Sequence, residues 1–583
     1  MKNLKTRKVL AFCMAAAMMA GVLGSCGGDT ESSAPADGSE TTAENSGGET
    51  SGDGDYVDLI WLSSGSAINE EDTSLVIQEL AKQTGIMVQH NYVPTEKWQV
   101  LMASGDMEAD ILEVPAVDRQ TLIEGGLIQP LDDLIAEYGP NIQKTMSQRT
   151  MDYWAKYVSY GRDQLYILSS HQAPDMEVVY DSVPYNYGVA PYIRWDYYEE
   201  LGSPEVNNED DLLNVLKQMQ DAHPTNDLGR KTYAMSLEVT AGIWSYATMY
   251  SYYNGFEAVG PAYMVSRDTE DTLHNMLEED YVLWGAARYY NKAWQLGILD
   301  PETFTQKGEN VTEKISNSQA FYTENSWNNY NTVLGESVGP EAGFEPILEA
   351  FPYAYAGGTS QFGWGFATAI TSTTEHAEDA MKFLDYLYSE EGARLCYSGI
   401  EGVHWEYDAD GVPAYTQETL DNRGNTEWDK ANGLNKFGNW IGIDNMVPAS
   451  DGYPVDLSQM PSMLKANNTA LDEHYCELYN VEYPGQVGKV MEEEREGYKV
   501  VWWVGDTGSL MSTVPDEINR VATQVTDIMI KAFPKMIMSD TDEEFEKEKA
   551  DCMQQIKDAG AQDIIDWVYS EWDAAKEKLA TLE

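Results

Sequence analysis

Between residues 56 and 113 strand-length apolar runs alternate with helical stripes, and that alternation admits few folds. Residues 56–62 (YVDLIWL) and 86–93 read as strands. Residues 74–84 read as a helix closed by Gly85, since glycine readily takes the left-handed conformation that ends helices. Residues 98–103 belong to a second helix. Strands separated by helices predict an α/β fold with a parallel sheet covered on both faces. In such sheets ligands meet the loops at the carboxyl ends of the strands.

The same alternation continues. Residues 231–239 read as a strand, and 207–222 and 280–296 as helices. Residues 515–582 are helical, with a break expected at Phe533-Pro534. The most distinctive stretch is 361–413. An apolar segment over 362–370 has the length of a buried strand. Ser372 and Glu375 have capping-box spacing, and Ala377, Ala380, Met381, Leu384, Leu387 and Tyr388 then form one helical stripe. Ser389 restarts a short helix, Gly399 and Gly402 end it, and 405–415 reads as a hairpin turning at Asp410-Gly411.

Strand, helix, SEEG, GIEGVHW and DADG in this order resemble the large extracellular solute-binding lipoproteins of bacterial carbohydrate ABC importers. So do Ser104-Gly105-Asp106 leading to Asp110-Ile111, the turn GGLIQPLDD, Arg194-Trp195-Asp196, and QLGILDP. The resemblance implies a two-lobed α/β fold of the type 2 periplasmic-binding-protein class, with a hinge closing over a ligand. Residues 164–168 and 315–322 resemble the strands that lead between the two lobes in that family. Residues 56–170 and 312–362 are expected as the first lobe, and 171–311 and 363–583 as the second, with the lobe of the C-terminal helices left open. It implies a non-enzymatic monomer that captures an oligosaccharide and passes it to the permease of an ABC transporter. A surface glycoside hydrolase or lyase, and a peptide-binding lipoprotein, remain the alternatives.

The start of the chain fits such a role. Lys2, Lys5, Arg7 and Lys8 precede an uncharged apolar segment, and Leu23-Gly24-Ser25-Cys26 matches a lipobox. Residues 1–25 read as a signal peptide, and Cys26 as the lipidated anchor on the outer face of a Gram-positive cell membrane. Residues 26–55, with no Lys, Arg or aromatic residue, read as a disordered acidic linker. The formal net charge of −60 argues against nucleic acid and anionic membrane surfaces as partners. It also argues against a polyanionic ligand, unless a local basic pocket overrides it. Three scattered cysteines remain beyond Cys26, which argues against a disulfide framework.

Tyr and Trp number 37 and 16 against 12 Phe, a balance that suits sugar binding. Their faces match the C–H faces of pyranose rings and their polar edges reach hydroxyls. Trp61, Trp244, Trp327 and Trp364 stand at or beyond predicted strand ends, and at least two of them are expected to stack on sugar. Asn69, Glu70, Asp106, Glu113, Tyr246 and Glu324 complete the candidate set.

Two other motifs mimic chemistry. Gly335-Glu336-Ser337-Val338-Gly339 matches a nucleophile elbow, but no apolar strand precedes it and Pro340 follows. Glu406, Asp408, Asp410 and Gly411 occupy the first, third, fifth and sixth positions of a calcium loop, yet Gln417 replaces the final glutamate. The hairpin is the preferred reading, with calcium at Asp408 and Asp410 kept as the alternative. No cofactor is otherwise expected.

Overall fold

The computed structural model describes residues 56–64, 73–173, 187–238, 243–326, 328, 330–363 and 366–582. The chain divides into two compact units, Met1–His171 with Gly365–Ile443, and Gln172–Trp364 with Asp444–Glu583. The chain therefore passes from one unit to the other three times.

The first unit is built on strands β1 (Val57–Ser63), β2 (Ile86–Tyr92), β3 (Ile111–Glu113) and β4 (Leu168–Ser169), of which the first three are parallel neighbours. The helix Leu75–Thr84 joins β1 to β2, with Ser74 before it and Gly85 at φ 75° closing it. Its apolar side, Val76, Ile77, Leu80 and Ala81, is buried.

The second unit opens with β5 (Val189–Arg194) and a meander of β6 (Phe256–Val259), β7 (Val265–Asp268) and β8 (Leu273–Asn275). It continues with β9 (Tyr322–Asn325), β10 (Phe344–Pro346) and β11 (Tyr353–Thr359). The chain then returns to the first unit as β12 (Ala367–Ile370), which inserts antiparallel between β3 and β4. The first sheet is thus mixed rather than parallel, in the order β2-β1-β3-β12-β4. β13 (Trp405–Tyr407) and β14 (Pro413–Tyr415) form the expected hairpin. β15 (Lys499–Val504), back in the second unit, completes the sheet β10-β5-β11-β15, with β9 also on β5.

This pairing corrects the expected lobe boundaries. Residues 312–362 stay in the second unit because β9, β10 and β11 pair with β5. Residues 365–443 belong to the first because β12 pairs with β3 and β4. Three local expectations also change. Residues 315–322 end a helix (Gly308–Ser316) before β9 begins. Among the described residues 231–238 only the single bridges of Lys231, Tyr233 and Met235 form. The helix Ala377–Leu387 starts after His376 without a side-chain cap.

The C-terminal helices belong to the second unit. The helix Asp516–Ile537 runs straight through Pro534 instead of breaking there. Burial of Val525, Met529, Phe533, Met536 and Ile537 offsets the cost of a proline in a helix interior. Its last carbonyls are met by a side chain from another helix: the buried Asn291 amide donates to the oxygens of Met536, Ile537 and Ser539 at 3.3, 2.9 and 2.7 Å. Orphan carbonyls at a helix end require such partners. Among the described residues no helix is long and apolar enough to cross a membrane.

Candidate ligand-binding site

In each unit one sheet edge gathers the ends of several strands. In the first, β1 ends at Ser63 and β3 at Glu113, and β12 begins beside Glu113 with Thr368 opposite it. Ser63 Oγ donates to Glu113 Oε2 at 2.7 Å, both residues being buried. The segments that enter and leave the unit at this edge are laced together. His171 N donates to the Ile441 oxygen at 2.9 Å, and Ser170 Oγ lies 2.7 Å from the Asn439 oxygen. Phe366 N donates to the same Asn439 oxygen at 3.3 Å.

In the second unit β9, β11 and β15 all end on one edge, at Asn325, Thr359 and Val504, beside the start of β5. Glu324 stands there. It is 6% exposed, and its Oε1 is buried without a hydrogen-bond partner. Burial raises its pKa well above the usual carboxylate range, so the carboxyl is held toward its neutral form. Tyr246, Tyr253 and Tyr289 lie within electrostatic reach of it. On the same edge Asp506 Oδ1 accepts from Ser360 Oγ at 2.8 Å and from Gln361 N at 2.9 Å, fixing the chain just before it leaves the unit.

Two candidates prove to be core. Trp61 is fully buried two residues short of the end of β1. Its ring packs against His90, Phe383, Phe437 and Trp440, with centroids 5.1–6.4 Å away, so no sugar can stack on it. Side chains alternate along a strand, and position 61 faces the helical layer. Tyr246 is 2% exposed and stacked near Phe304, which removes its ring from any ligand surface.

Asp106 stands at the wrong end of its strand. It precedes β3, and its Oδ1 accepts from Glu108 N at 2.9 Å and Thr373 Oγ1 at 3.2 Å, as a loop acid does. Glu113 and Glu324 keep strand-end positions. Asn69, Glu70, Trp327 and Trp364, like Cys26, lie outside the described residues. Trp244 opens a π-helical turn, Trp244–Thr248.

The residues do not fit the alternative calcium site. Asp408 Oδ1 already accepts from Asp410 N and Val412 N at 2.9 Å, closing the hairpin turn. Among the described residues no cluster of three or more His, Cys, Asp or Glu could hold a metal ion. Ser337 ends a helix, Tyr330–Ser337, and its Oγ donates to the Val333 oxygen, so it is no nucleophile elbow.

Sequence reasoning missed two side chains at these edges. Trp502, on β15, is half-buried against Gly357, where a Cβ would meet its ring at 2.8 Å, and its Nε1 has no partner. Arg119, just after β3, lies over Trp154 with 5.0 Å between guanidinium carbon and ring centroid. Only the run VVWW hinted at the first, and nothing in the sequence marked the second.

Comparison with known proteins agrees with this architecture. The fructooligosaccharide ABC transporter substrate-binding protein FusA of Streptococcus pneumoniae serotype 4 is 23% identical over 356 residues. The match spans 57% of this chain and 61% of that protein's length. A solute-binding protein of Bifidobacterium longum infantis, described as binding HMO and associated with an ABC transporter, superposes with a TM-score of 0.55 at 14% identity. That superposition covers 89% of this chain and 99% of the other. The N-glycan transport solute-binding protein NgtS of Streptococcus pneumoniae gives 0.52 at 14% identity, covering 89% and 98%. These structures share the two-lobed α/β fold. Residues 67–394 match the bacterial extracellular solute-binding protein family, and the chain belongs to that family.

Proposed function

We propose that this chain is a lipid-anchored receptor that captures an oligosaccharide outside the cell and delivers it to the permease of an ABC transporter. The match of residues 67–394 to an extracellular solute-binding family carries the reading. Its relatives named for fructooligosaccharide and N-glycan supply the ligand class. The strand-end chemistry suits that class. Glu324 offers a buried carboxyl that can both give and accept a hydrogen bond, Glu113 lies at the other unit's edge, and Trp502 presents an indole. Trp244, Trp327, Trp364, Asn69 and Glu70 complete the proposed ligand contacts. Cys26 is the lipidated residue, residues 1–25 the signal peptide and 26–55 the tether. The receptor works as a monomer and performs no catalysis.

The test is titration calorimetry of the mature chain against a panel of neutral oligosaccharides, with chromatography of the sugars afterwards. Stoichiometric binding with every sugar recovered intact is the expected result. Cleaved sugars would establish a hydrolase or lyase, and binding of peptides but no sugar would establish the peptide receptor.

A further inference from the structure

Acidic residues outnumber basic ones 97 to 37. Arg194, Arg230, Arg267 and Arg288 each pair with a carboxylate, at 2.5–3.2 Å. Among the described residues Arg119 does not, and neither do Arg162, Arg495 and Arg520, but of these four Arg119 alone has its Nε buried without an acceptor. Nor does Arg119 make a hydrogen bond among the described residues. The side chain is half-buried, and burial lowers its pKa from the usual arginine value. A guanidinium remains protonated under such a shift. Desolvating it without an anion is costly, and a cation–π contact with one indole recovers only part of that cost.

The acid next to it in sequence is engaged elsewhere: Asp118 accepts from Trp98 Nε1 at 3.0 Å. The groups in electrostatic reach of Arg119 are instead the phenols of Tyr153 and Tyr160. Tyr160 is 39% exposed, and Val117, two residues before Arg119, is 77% exposed. The fixed cation therefore sits beside exposed surface and aromatic faces. It follows the carboxyl end of β3, on the edge where parallel strands present their ligands.

We propose that Arg119, lying on Trp154, is an anionic-sugar subsite that takes the carboxylate of one acidic residue in an otherwise neutral oligosaccharide. A planar fork of N–H donors matches a carboxylate in two-point contact. The limit of one acidic residue follows from the charge: a single unpaired guanidinium inside so negative a chain attracts one carboxylate and repels a row of them. A uronic acid and a sialic acid both satisfy this chemistry. The inference deepens the oligosaccharide-capture reading and rests on it.

The experiment compares matched pairs by titration calorimetry on the mature chain: xylotriose with and without one glucuronate branch, and lactose against sialyllactose. In at least one pair the acidic member binds about tenfold or more tighter than its neutral parent. R119Q brings that affinity down to the parent's with an unchanged melting temperature. R119K, which keeps the charge and loses the fork, falls between, and it decides the matter if R119Q fails to fold. Which pair responds tells uronate from sialate. Neutral sugars binding with no acidic preference would overturn this inference and leave capture standing. A preference that survives R119Q, or is undiminished in R119K, would overturn it too. If neither these sugars nor any member of the neutral panel binds, the capture reading falls and takes the subsite with it.

Discussion

His90 meets Trp440 edge-on, with ring centroids 4.6 Å apart, and neither imidazole nitrogen has a hydrogen-bond partner. Burial lowers the pKa of His90 to about 4. The folded state therefore holds it neutral at pH values where the unfolded chain, near 6.5, begins to take up a proton.

A loss of stability in acid follows. The unfolded state binds the proton first as pH falls below about 6.5, so stability falls with it until the folded His90 also protonates near pH 4. The ceiling of the effect is about 3 kcal/mol. His90→Phe removes the titrating group, so its melting temperature should fall less steeply than that of wild type between pH 6.5 and 4. Parallel curves would show that His90 is already charged or hydrated in the fold.

Trp61→Ala should cost about 3–5 kcal/mol of stability, as truncation of a fully buried indole does. Sugar affinity, measured at a temperature where the variant is folded, should be unchanged. A variant that melts like wild type and binds more weakly would return Trp61 to the ligand surface.

Glu324→Gln separates site from scaffold. Because the folded carboxyl titrates well above its unfolded value, its contribution to stability is full below pH 4.5 and is lost as pH rises. The amide escapes that loss, so the variant should melt at or above the wild-type temperature at pH 7. If Glu324 bonds a sugar hydroxyl, affinity should fall about tenfold, the effect of losing about 1.4 kcal/mol. Lower stability with intact affinity would make it a structural acid.

Asn291→Ala should remove about 1–3 kcal/mol by leaving the carbonyls of Met536, Ile537 and Ser539 without their donor. Hydrogen exchange should show the loss spreading first through the helix Asp516–Ile537. Unchanged protection there would mean that water replaces the amide without cost.

What the sequence made legible was local. Apolar period and turn glycines placed β1, the helix ending at Gly85, the hairpin of β13 and β14, and the helix that Ser389 caps. Pairing partners were not legible, because a strand such as 367–370 reads the same beside β3 as beside β11. The lobe boundaries failed for that reason. Trp61 was misread because a strand end looks alike whether its last aromatic faces a helix or a ligand. Arg119 carried no signal at all: its meaning is the absence of a carboxylate, and only three-dimensional neighbours reveal an absence.

The interleaving of the two units also sets a timetable. The sheet begun by β1, β2 and β3 cannot close until β12 slots between β3 and β4, and β12 is made about 200 residues after β4. At about 5–20 residues per second that wait is roughly 10–40 s. During it, the inner flank of β3 has no neighbour. A chain that emerges in this order gains little by folding as it is made. It is suited to crossing a membrane unfolded and closing both units together on the far side.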